Sequence, residues 1–440
     1  MKQIITQNCV QKMWILVLTL IIYGAAKEPV NIIFDTDFGP DCDDAGALAI
    51  LHRFADLGEA RILAMAISTS NPNGPAAIDA VNTYYGRPDI PIGTMEGSWK
   101  PDSPYTSTLA DTNRYPSDIG HRDNVPTAVE VYRKALEAAP DSSVTFVVVG
   151  FMYNINPLIN SEPDSISPLT GLELIKKKVK HYVGMDGFYP SGPGYNWIRS
   201  YELPKEFLEK WPTETLHSGQ EIGEEIRTGG VLSGNDSIVN VNPVAMAYKI
   251  YQGAGRDRPS YDLTAVYLAV RGLGDSLWTR SEEGCNSANL NGENTWVPGD
   301  CGHYYIIRNA DESVVEDTLD ALMMQKPVPD SLKPDFNEVW PPLGISNKSE
   351  LSYQAPKAVR QGRGFSLSLY LNNDAPVVTK IYTTGGSLVQ TIDSGMQQKG
   401  MLHVTWAGTD SYGKIVKPGI YFIAFHLPDG IHMAKVSKLR

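Results

Sequence analysis

The 440-residue chain lacks the features that mark several classes of protein. It has only four cysteines, with no CxxC pair and no cysteine–histidine cluster, which argues against a zinc site. Its 38 basic side chains are outnumbered by 50 acidic ones, and a net charge of −12 argues against nucleic acid or an anionic membrane surface as the main partner. What is present, with 42% hydrophobic and 20% charged residues, is the composition of an ordinary globular protein.

Long hydrophobic runs are also scarce. The apolar run at residues 13–23 is well short of the about 20 residues that a membrane-spanning helix needs. Two lysines precede this run and small residues follow it at 24–26, which is the layout of a secretory signal peptide. We therefore predict a signal peptide over residues 1–26, no membrane span, and export of the mature chain to the periplasm, the cell surface or the medium.

Three cysteines remain after the predicted signal peptide. Cys285 and Cys301 flank a polar loop, and a disulfide between them is permitted outside the cytoplasm. The sequence does not show whether their Cα atoms lie close enough for a bridge. Cys42 stands among aspartates, whose charge raises the pKa of a thiol and so argues against a reactive nucleophile.

The pattern of the chain divides it into two folded parts. Over residues 27–325 short β-rich apolar runs alternate with segments of helical period, which predicts an α/β domain with a mostly parallel open sheet and helices on both faces. Ligand sites in such folds lie at the carboxyl ends of the strands. A proline-rich linker spans 326–344, and the period-2 strands of 345–440 predict a small all-β sandwich.

The most informative stretch is residues 32–48 (IIFDTDFGPDCDDAGAL), in which a buried strand, a turn and the start of a helix follow one another. It carries five carboxylates within ten residues: Asp35, Asp37, Asp41, Asp43 and Asp44. Such a group repels itself unless something neutralises it, and a helix N-terminus offsets only part of the charge. Bound Ca2+, which prefers many oxygen ligands, would neutralise it.

This stretch has two other interpretations. One is a solvated acidic loop with no ligand. The other is the phosphatase signature of the haloacid dehalogenases, an apolar strand followed by DxD. Gly39 and further aspartates follow Phe38 at once, which argues against the phosphatase.

The stretch resembles the opening motif of the nucleoside hydrolases, which are calcium-dependent N-ribohydrolases, in a variant with extra residues before the paired aspartates. Further segments resemble that family in the same order along the predicted α/β domain: 66–71 (AISTSN), 147–154 (VVVGFMYN), 185–197 (MDGFYPSGPGYNW) and 259–266 (PSYDLTAV). The resemblance implies a nucleoside hydrolase-like fold for this domain.

The resemblance also implies a reaction and a metal site. Asp37 would be a calcium ligand and the general base, taking a proton from a metal-bound water that attacks the anomeric carbon. Asp44, Asp262 and the backbone carbonyl of Tyr153 would complete the protein's ligands. The chain would then be a hydrolase of N-glycosyl compounds, acting on ribonucleosides or related N-ribosides.

The substrate contacts follow from the same resemblance. Asp43, Asn71 and Asn196 would hydrogen-bond the sugar hydroxyls. Three further side chains are weaker candidates: Trp197 for stacking on a base, His121 for reaching the site from a polar loop, and Tyr261 as the acid for the leaving group.

Three departures from the family concern the substrate. Gly194 stands where the family has a glutamate that contacts the ribose, and Tyr261 stands where many members have a histidine near the leaving base. The asparagine that the family usually has shortly before the position of Gly194 is not evident within residues 189–192. These departures support an alternative of another class, an exported sugar- or nucleoside-binding protein of the same fold with little or no catalytic activity.

The C-terminal segments 385–389, 403–406, 408–410 and 419–422 resemble the immunoglobulin-like domains related to the flagellar hook-capping protein, which also occur as type IX secretion sorting domains. The resemblance implies contact with secretion machinery or attachment to a surface. A structural or carbohydrate-binding sandwich is the alternative. A homo-oligomer remains open as a further assembly.

Overall fold

The computed structural model describes residues 28–274, 276–329 and 333, and in the C-terminal part residues 357–361, 364–371, 374–383, 388–410, 414–417, 419–427 and 430–438. The predicted signal peptide and most of the predicted linker lie outside the described residues. Within them, no helix combines the length and the apolar character needed to cross a bilayer.

The larger part of the chain alternates strands and helices. Its strands are β1 (Val30–Thr36), β2 (Ala60–Ile67), β3 (Ile92–Thr94), β4 (Val144–Val148), β5 (Val179–Met185), β6 (Ser191–Gly192), β7 (Glu214–Ser218), β8 (Arg227–Thr228), β9 (Arg258–Pro259), β10 (Trp278–Arg280), β11 (Gly284–Ala288), β12 (Asn294–Pro298) and β13 (His303–Arg308). Its helices are α1 (Asp43–Asp56), α2 (Gly74–Tyr84), α3 (Thr106–Leu109), α4 (Ala128–Ala138), α5 (Ile155–Ile159), α6 (Gly171–Lys178), α7 (Tyr195–Ile198), α8 (Leu203–Lys210), α9 (Gln220–Glu225), α10 (Gly230–Ser233), α11 (Asp236–Val239), α12 (Pro243–Tyr251), α13 (Tyr261–Arg271) and α14 (Glu312–Met323). A short 3-10 helix spans Arg122–Asn124.

One 11-stranded sheet organises this domain. The order β3-β2-β1-β4-β5-β7-β13 is parallel throughout. Beyond it, β10 and β11 pair antiparallel with β13, and the sheet continues through β12 to β6. A separate antiparallel ribbon joins β8 and β9. The predicted α/β architecture with a mostly parallel sheet is confirmed.

Both faces of the sheet are covered, which is why its central strands are apolar at nearly every position. Ile32 and Phe34 of β1 belong to one core with α1, α2, α12, α13 and α14, while Ile33 belongs to the other core with α4, α5, α6 and α8. Side chains along a strand alternate between faces, so one uninterrupted apolar run serves two cores.

The strand order reverses at β1, which lies between β2 and β4. Crossovers on the two sides of such a strand run in opposite directions and leave a crevice beyond its carboxyl end. Asp35 pairs in register with Ala66 of β2 and Val148 of β4, so the acidic stretch leaves the sheet at this crevice.

The smaller domain contains β14 (Lys357–Gln361), β15 (Gly364–Leu371), β16 (Ala375–Thr383), β17 (Leu388–Gln397), β18 (Gly400–Trp406), β19 (Gly419–Leu427) and β20 (Gly430–Lys438). They form two antiparallel sheets, β14-β15-β18 and β17-β16-β19-β20. Trp406 and Leu371 from the first sheet pack with Ile381 and Phe425 from the second in one apolar core. The predicted small all-β domain is confirmed.

Cys285 and Cys301 form a disulfide with a Cα–Cα distance of 5.0 Å. The bridge joins β11 to the loop between β12 and β13. Cys42 is a free, buried cysteine.

Candidate active site

The acidic stretch turns sharply between β1 and α1. Gly39 has a φ of +141°, and a Cβ at this position would lie 2.6 Å from Ser103 Oγ, so both the backbone conformation and the close neighbour require glycine. The turn delivers Asp43 and Asp44 to the first turn of α1, where a helix favours acidic side chains.

Four buried aspartates converge at this point. The backbone N–H of Asp262, in the first turn of α13, donates to Asp43 Oδ2 at 3.1 Å. The Thr36 hydroxyl donates to Asp44 Oδ1, and Asp37 and Asp262 lie within hydrogen-bonding reach of Asp44. Asp37 is only 6% exposed and Asp262 only 4%. We call this group the acidic cluster; its members are Asp37, Asp43, Asp44 and Asp262.

Burial and mutual repulsion disfavour the charged form of the acidic cluster. Burial raises the pKa of Asp37 well above its usual value, and the charges of Asp44 and Asp41 raise it further. Burial likewise raises the pKa of Asp44 to about 7, although the Thr36 hydrogen bond opposes the shift. The pKa values of Asp43 and Asp262 are also raised well above normal, chiefly by burial. These carboxylates would become fully ionised next to a positive charge.

The acidic cluster has donor atoms to spare. Asp43 Oδ1 and Asp44 Oδ2 are buried without a hydrogen-bond partner. In the described part of the chain no group of three or more His, Cys, Asp or Glu side chains is arranged to hold a metal ion as it stands. The donor set nevertheless fits a hard cation, because every candidate ligand is oxygen and two oxygens lack any other partner.

The loop after β4 passes close to the backbone of Asp37. A Cβ at Gly150 would lie 2.5 Å from the backbone nitrogen of Asp37, so glycine is needed for this approach. The loop then carries Tyr153, whose hydroxyl donates to Arg199 O at 2.8 Å. Asn154 donates through Nδ2 to Asp35 Oδ2 at 2.8 Å.

Asp35 contacts the loop after β4 and helix α4, and these contacts differ from those of the other aspartates. Its Oδ2 accepts hydrogen bonds from the Tyr132 hydroxyl and from Asn154, and burial raises its pKa to about 7. Asp35 thus links β1 to α4 and to the loop after β4, as expected of a residue that braces the acidic stretch.

The two predicted asparagine contacts are buried and already hydrogen-bonded. Asn71 follows β2; its Nδ2 donates to Thr106 Oγ1 at 3.0 Å and its Oδ1 accepts from Asn73 N. Asn196 in α7 donates through Nδ2 to Val149 O at 2.6 Å and to Met185 O at 3.0 Å. Asn196 therefore ties the ends of β4 and β5 together, and its Oδ1 is not used in these bonds.

The weaker candidates lie in different surroundings. The ring of Trp197 is fully buried and stands edge-on to His217, with centroids 5.6 Å apart, so the structure places it in the core. His121 is about half exposed and accepts from Asp123 N, while its neighbour Arg122 reaches Ser70 O and Met95 O beside the carboxyl ends of β2 and β3.

Gly194 is closed to any side chain. A Cβ there would lie 2.2 Å from Gly187 O, because the loop after β5 doubles back on itself. The start of α9 fixes this loop: Gln220 N donates to Gly187 O, and Gln220 Oε1 accepts from Tyr195 N at 2.8 Å. The local backbone therefore excludes a glutamate at position 194. A chain with glutamate there would need a different loop conformation as well as a different residue.

Sequence reasoning missed two features of this region. Asp41, to which the resemblance assigns no role, accepts a hydrogen bond from Arg258 Nη2 at 2.7 Å. Trp99 packs on Phe151 with centroids 4.4 Å apart and contacts Tyr153, beside the loop after β4. Arg258 stands one residue before the segment 259–266 that resembles the family. A positive charge so near Asp262 in the sequence was the signal that could have indicated a cation beside the acidic cluster.

The two domains of the chain match different known proteins. The family model for the FlgD Ig-like domain matches residues 356–429. No curated protein matches the sequence.

Solved structures match the α/β domain. The inosine-uridine preferring nucleoside hydrolase of Bacillus anthracis is 12% identical with a TM-score of 0.50, over 67% of this chain and 97% of that one. A purine-preferring ribonucleoside hydrolase from Gardnerella vaginalis is 13% identical with a TM-score of 0.49, over 67% of this chain and 98% of that one. The type III effector XopQ, complexed with adenosine diphosphate ribose, is 13% identical with a TM-score of 0.48, over 69% and 94%. At such identities the likeness concerns the fold alone, and the larger domain has the fold of the nucleoside hydrolases.

Proposed function

We propose that the chain is a calcium-dependent hydrolase of the N-glycosidic bond of ribonucleosides or related N-ribosides. The observation that carries this proposal is the acidic cluster: four buried aspartates from two distant segments, with unpartnered oxygens, in the crevice at the carboxyl end of β1. A solvated loop would not be buried, so the cluster does not fit the simplest alternative.

The ligands that would hold calcium are Asp37, Asp44, Asp262 and the carbonyl of Tyr153. When bound, the ion would neutralise the carboxylates and supply the charge that orients and acidifies a water. The three carboxyls already lie together, and the close approach at Gly150 brings the loop that carries Tyr153 close to Asp37. All four ligand atoms are oxygens, as this cation prefers.

The remaining chemistry belongs to the protein's side chains. Asp37 accepts a proton as the water oxygen bonds to the anomeric carbon, and the bond from that carbon to the base nitrogen breaks with its electron pair on the base. Negative charge around the site stabilises the positive charge that develops on the sugar. Asp43 and the Oδ1 atoms of Asn71 and Asn196 would fix the sugar hydroxyls. The departing base takes its proton from solvent or from Tyr261, whose pKa burial raises to about 12.

The first test is release of reducing sugar from a panel of nucleosides and other N-ribosides by residues 27–440. Each assay runs with calcium and with a chelator, and compares the parent chain with Asp37→Ala. Asp317→Asn, a substitution on the exposed side of α14, is the matched control. Release that needs both calcium and Asp37 supports the proposal, whereas release that persists in Asp37→Ala contradicts it.

Gly194 supports the second candidate, an exported sugar- or nucleoside-binding protein that has the same fold and little activity. Because the backbone at Gly187 excludes a glutamate at 194, this chain cannot make that sugar contact. Calorimetry distinguishes the two functions: calcium-dependent binding of a nucleoside without sugar release would favour the binding protein. Gly194→Glu is a poor test, since the new side chain would displace the loop.

For the smaller domain we propose a role in export or surface attachment. The match to the FlgD Ig-like family supports the domain type only. Truncation before residue 345 in the native host should leave the α/β domain inside the cell or shed it from the surface. Unchanged localisation of the truncated chain would contradict this role.

A further inference from the structure

The side chain of Arg258 lies on the rim of the acidic cluster. It belongs to β9, four positions before Asp262, and its Nη2 donates to Asp41 Oδ2 at 2.7 Å. Asp41 in turn comes two positions before Asp43. Arg258 is 22% exposed and Asp41 26%, so the pair is partly open to solvent.

Two tyrosines hold the guanidinium in place. The Arg258 Cζ lies 5.3 Å from the ring centroid of Tyr251 and 5.6 Å from that of Tyr261. Aromatic rings contact a guanidinium over its flat faces and leave its in-plane N–H groups free for hydrogen bonds. The two rings therefore hold the cation in addition to its ion pair with Asp41.

The hydrogen-bonding capacity of this guanidinium is largely unused. Its bond to Asp41 is made by one of two terminal nitrogens, and Nε is buried with no partner. A guanidinium presents a rigid fork that suits two oxygens of one carboxylate or phosphate. One oxygen of a rim aspartate is a weak match for that fork, so a better anion would compete with Asp41.

The surroundings make the choice of ligand specific. Carboxylates crowd this rim and repel an anion from every position except one beside a cation. A substrate with a negative group would therefore be held in one orientation, with that group at Arg258 and away from the acidic cluster. A neutral nucleoside gains nothing from the pair.

We infer that Arg258 is a specificity-determining residue, and that the substrates of this site are N-ribosides that carry a carboxylate or a phosphate. The anion displaces Asp41 from the guanidinium when it binds. This inference rests on the proposed function and deepens it, because it names the class of riboside.

Orotidine and uridine provide a matched test, since they differ only in one carboxylate on the base. Uridine 5′-monophosphate places the charge on the sugar instead and identifies which end of the substrate faces Arg258. Calorimetry on residues 27–440 with a chelator, which stops the proposed calcium-dependent hydrolysis, measures binding without turnover. The variants are Arg258→Gln, Asp41→Asn and, as a control, Arg256→Gln, which removes an exposed positive charge two positions away.

One of the two charged ligands should bind at least about tenfold more tightly than uridine, as a bidentate charge-assisted contact predicts. Arg258→Gln should abolish that advantage, Asp41→Asn should enlarge it by removing the competitor, and Arg256→Gln should retain it. Equal binding of charged and neutral ribosides, or an advantage that survives Arg258→Gln, would overturn the inference.

Failure of the proposed function would look different. If the chain neither binds nor hydrolyses any riboside, orotate and uracil are titrated alone against the parent chain. Binding of orotate that Arg258→Gln removes would still establish the anion site. Absence of orotate binding would overturn it.

Discussion

Two of the buried charged groups in the α/β domain differ in how fully their hydrogen-bonding atoms are satisfied. Arg133 in α4 is 1% exposed and donates from all three of its side-chain nitrogens: it pairs in two-pronged fashion with Asp164 and reaches Ser161 Oγ, Ser167 O and Leu169 O. The acidic cluster has repelling carboxylates and unpartnered oxygens instead. A saturated network of this kind fixes loops to a helix, whereas an unsaturated one is arranged for something that arrives later.

The largest expected effect separates activity from stability. Asp37→Asn should lower kcat by about a thousandfold, because it removes the proton acceptor. In chelator it should leave the free energy of unfolding unchanged or raise it, since it also removes a repelled charge. Reducing-sugar assays with calcium and urea unfolding in chelator measure the two quantities. A large loss of stability would show that the acidic cluster maintains the fold.

The reverse pattern is expected at the saturated pair. Arg133→Met should lower the free energy of unfolding by about 3 kcal/mol, because it leaves two carbonyls, a hydroxyl and a carboxylate without their donor. Activity per folded molecule should stay near that of the parent chain. Urea unfolding, with activity assayed at low temperature, tests both statements. A loss of activity without a loss of stability would break the contrast.

Calcium should stabilise one region and not the other. Calcium at one hundred times its dissociation constant should add about 2.7 kcal/mol to the free energy of unfolding, because it binds only the folded chain. Asp44→Asn should lose this gain and Arg133→Met should retain it. Thermal unfolding with calcium or with a chelator gives the readout. Equal gains in both variants would place the ion elsewhere.

The smallest expected effect is on stability as a function of pH, measured in the presence of a chelator. The contributions of Asp44 and Asp164 to the free energy of unfolding should change with pH in opposite directions. The pKa of Asp44 is raised from 3.8 to about 7, so the folded chain binds more protons than the unfolded chain between these values and loses stability as pH rises through them. The pKa of Asp164 is lowered from 3.8 to about 2 by Arg133, so its contribution is present above pH 3.8 and lost as pH falls towards 2.

Variants assign the two slopes. Asp44→Asn should flatten the loss of stability towards neutral pH, and Arg133→Met should flatten the loss in acid. Urea midpoints across this pH range provide the measurement. Slopes that keep their shape in both variants would mean that other groups control them.

The features of this molecule that could be predicted from the sequence are those that neighbouring residues determine. The strand–helix alternation is local, and it sufficed for a mostly parallel sheet with helices on both faces. Asp37, Asp43 and Asp44 stand close together in the sequence, so their convergence was visible, and the mutual repulsion of neighbouring carboxylates supplied the reason for a cation. The assignment of Asp37 and Asp262 to one site came from resemblance, and the structure brings these two residues together.

Long-range packing carried the rest. Nothing near Asp41 indicates that its partner lies 217 positions away in β9. The sequence shows only that position 194 has no side chain. The structure gives the reason, because the backbone at Gly187 lies too close to Gly194 for any side chain to fit. The antiparallel extension of the sheet through β11 and β12 to β6 depends on pairings between hairpin and loop that no periodicity encodes.

That extension is a region where the protein can be engineered separately from the acidic cluster. The loop after β5 begins at the heart of the sheet and ends at its far edge, where β6 pairs with β12. Asn294 Oδ1 accepts from Phe188 N at 2.7 Å, and the Cys285–Cys301 bridge anchors the same hairpin. A library confined to β11, β12 and their turn would reshape the support of the loop after β5 while leaving every carboxylate of the acidic cluster unchanged.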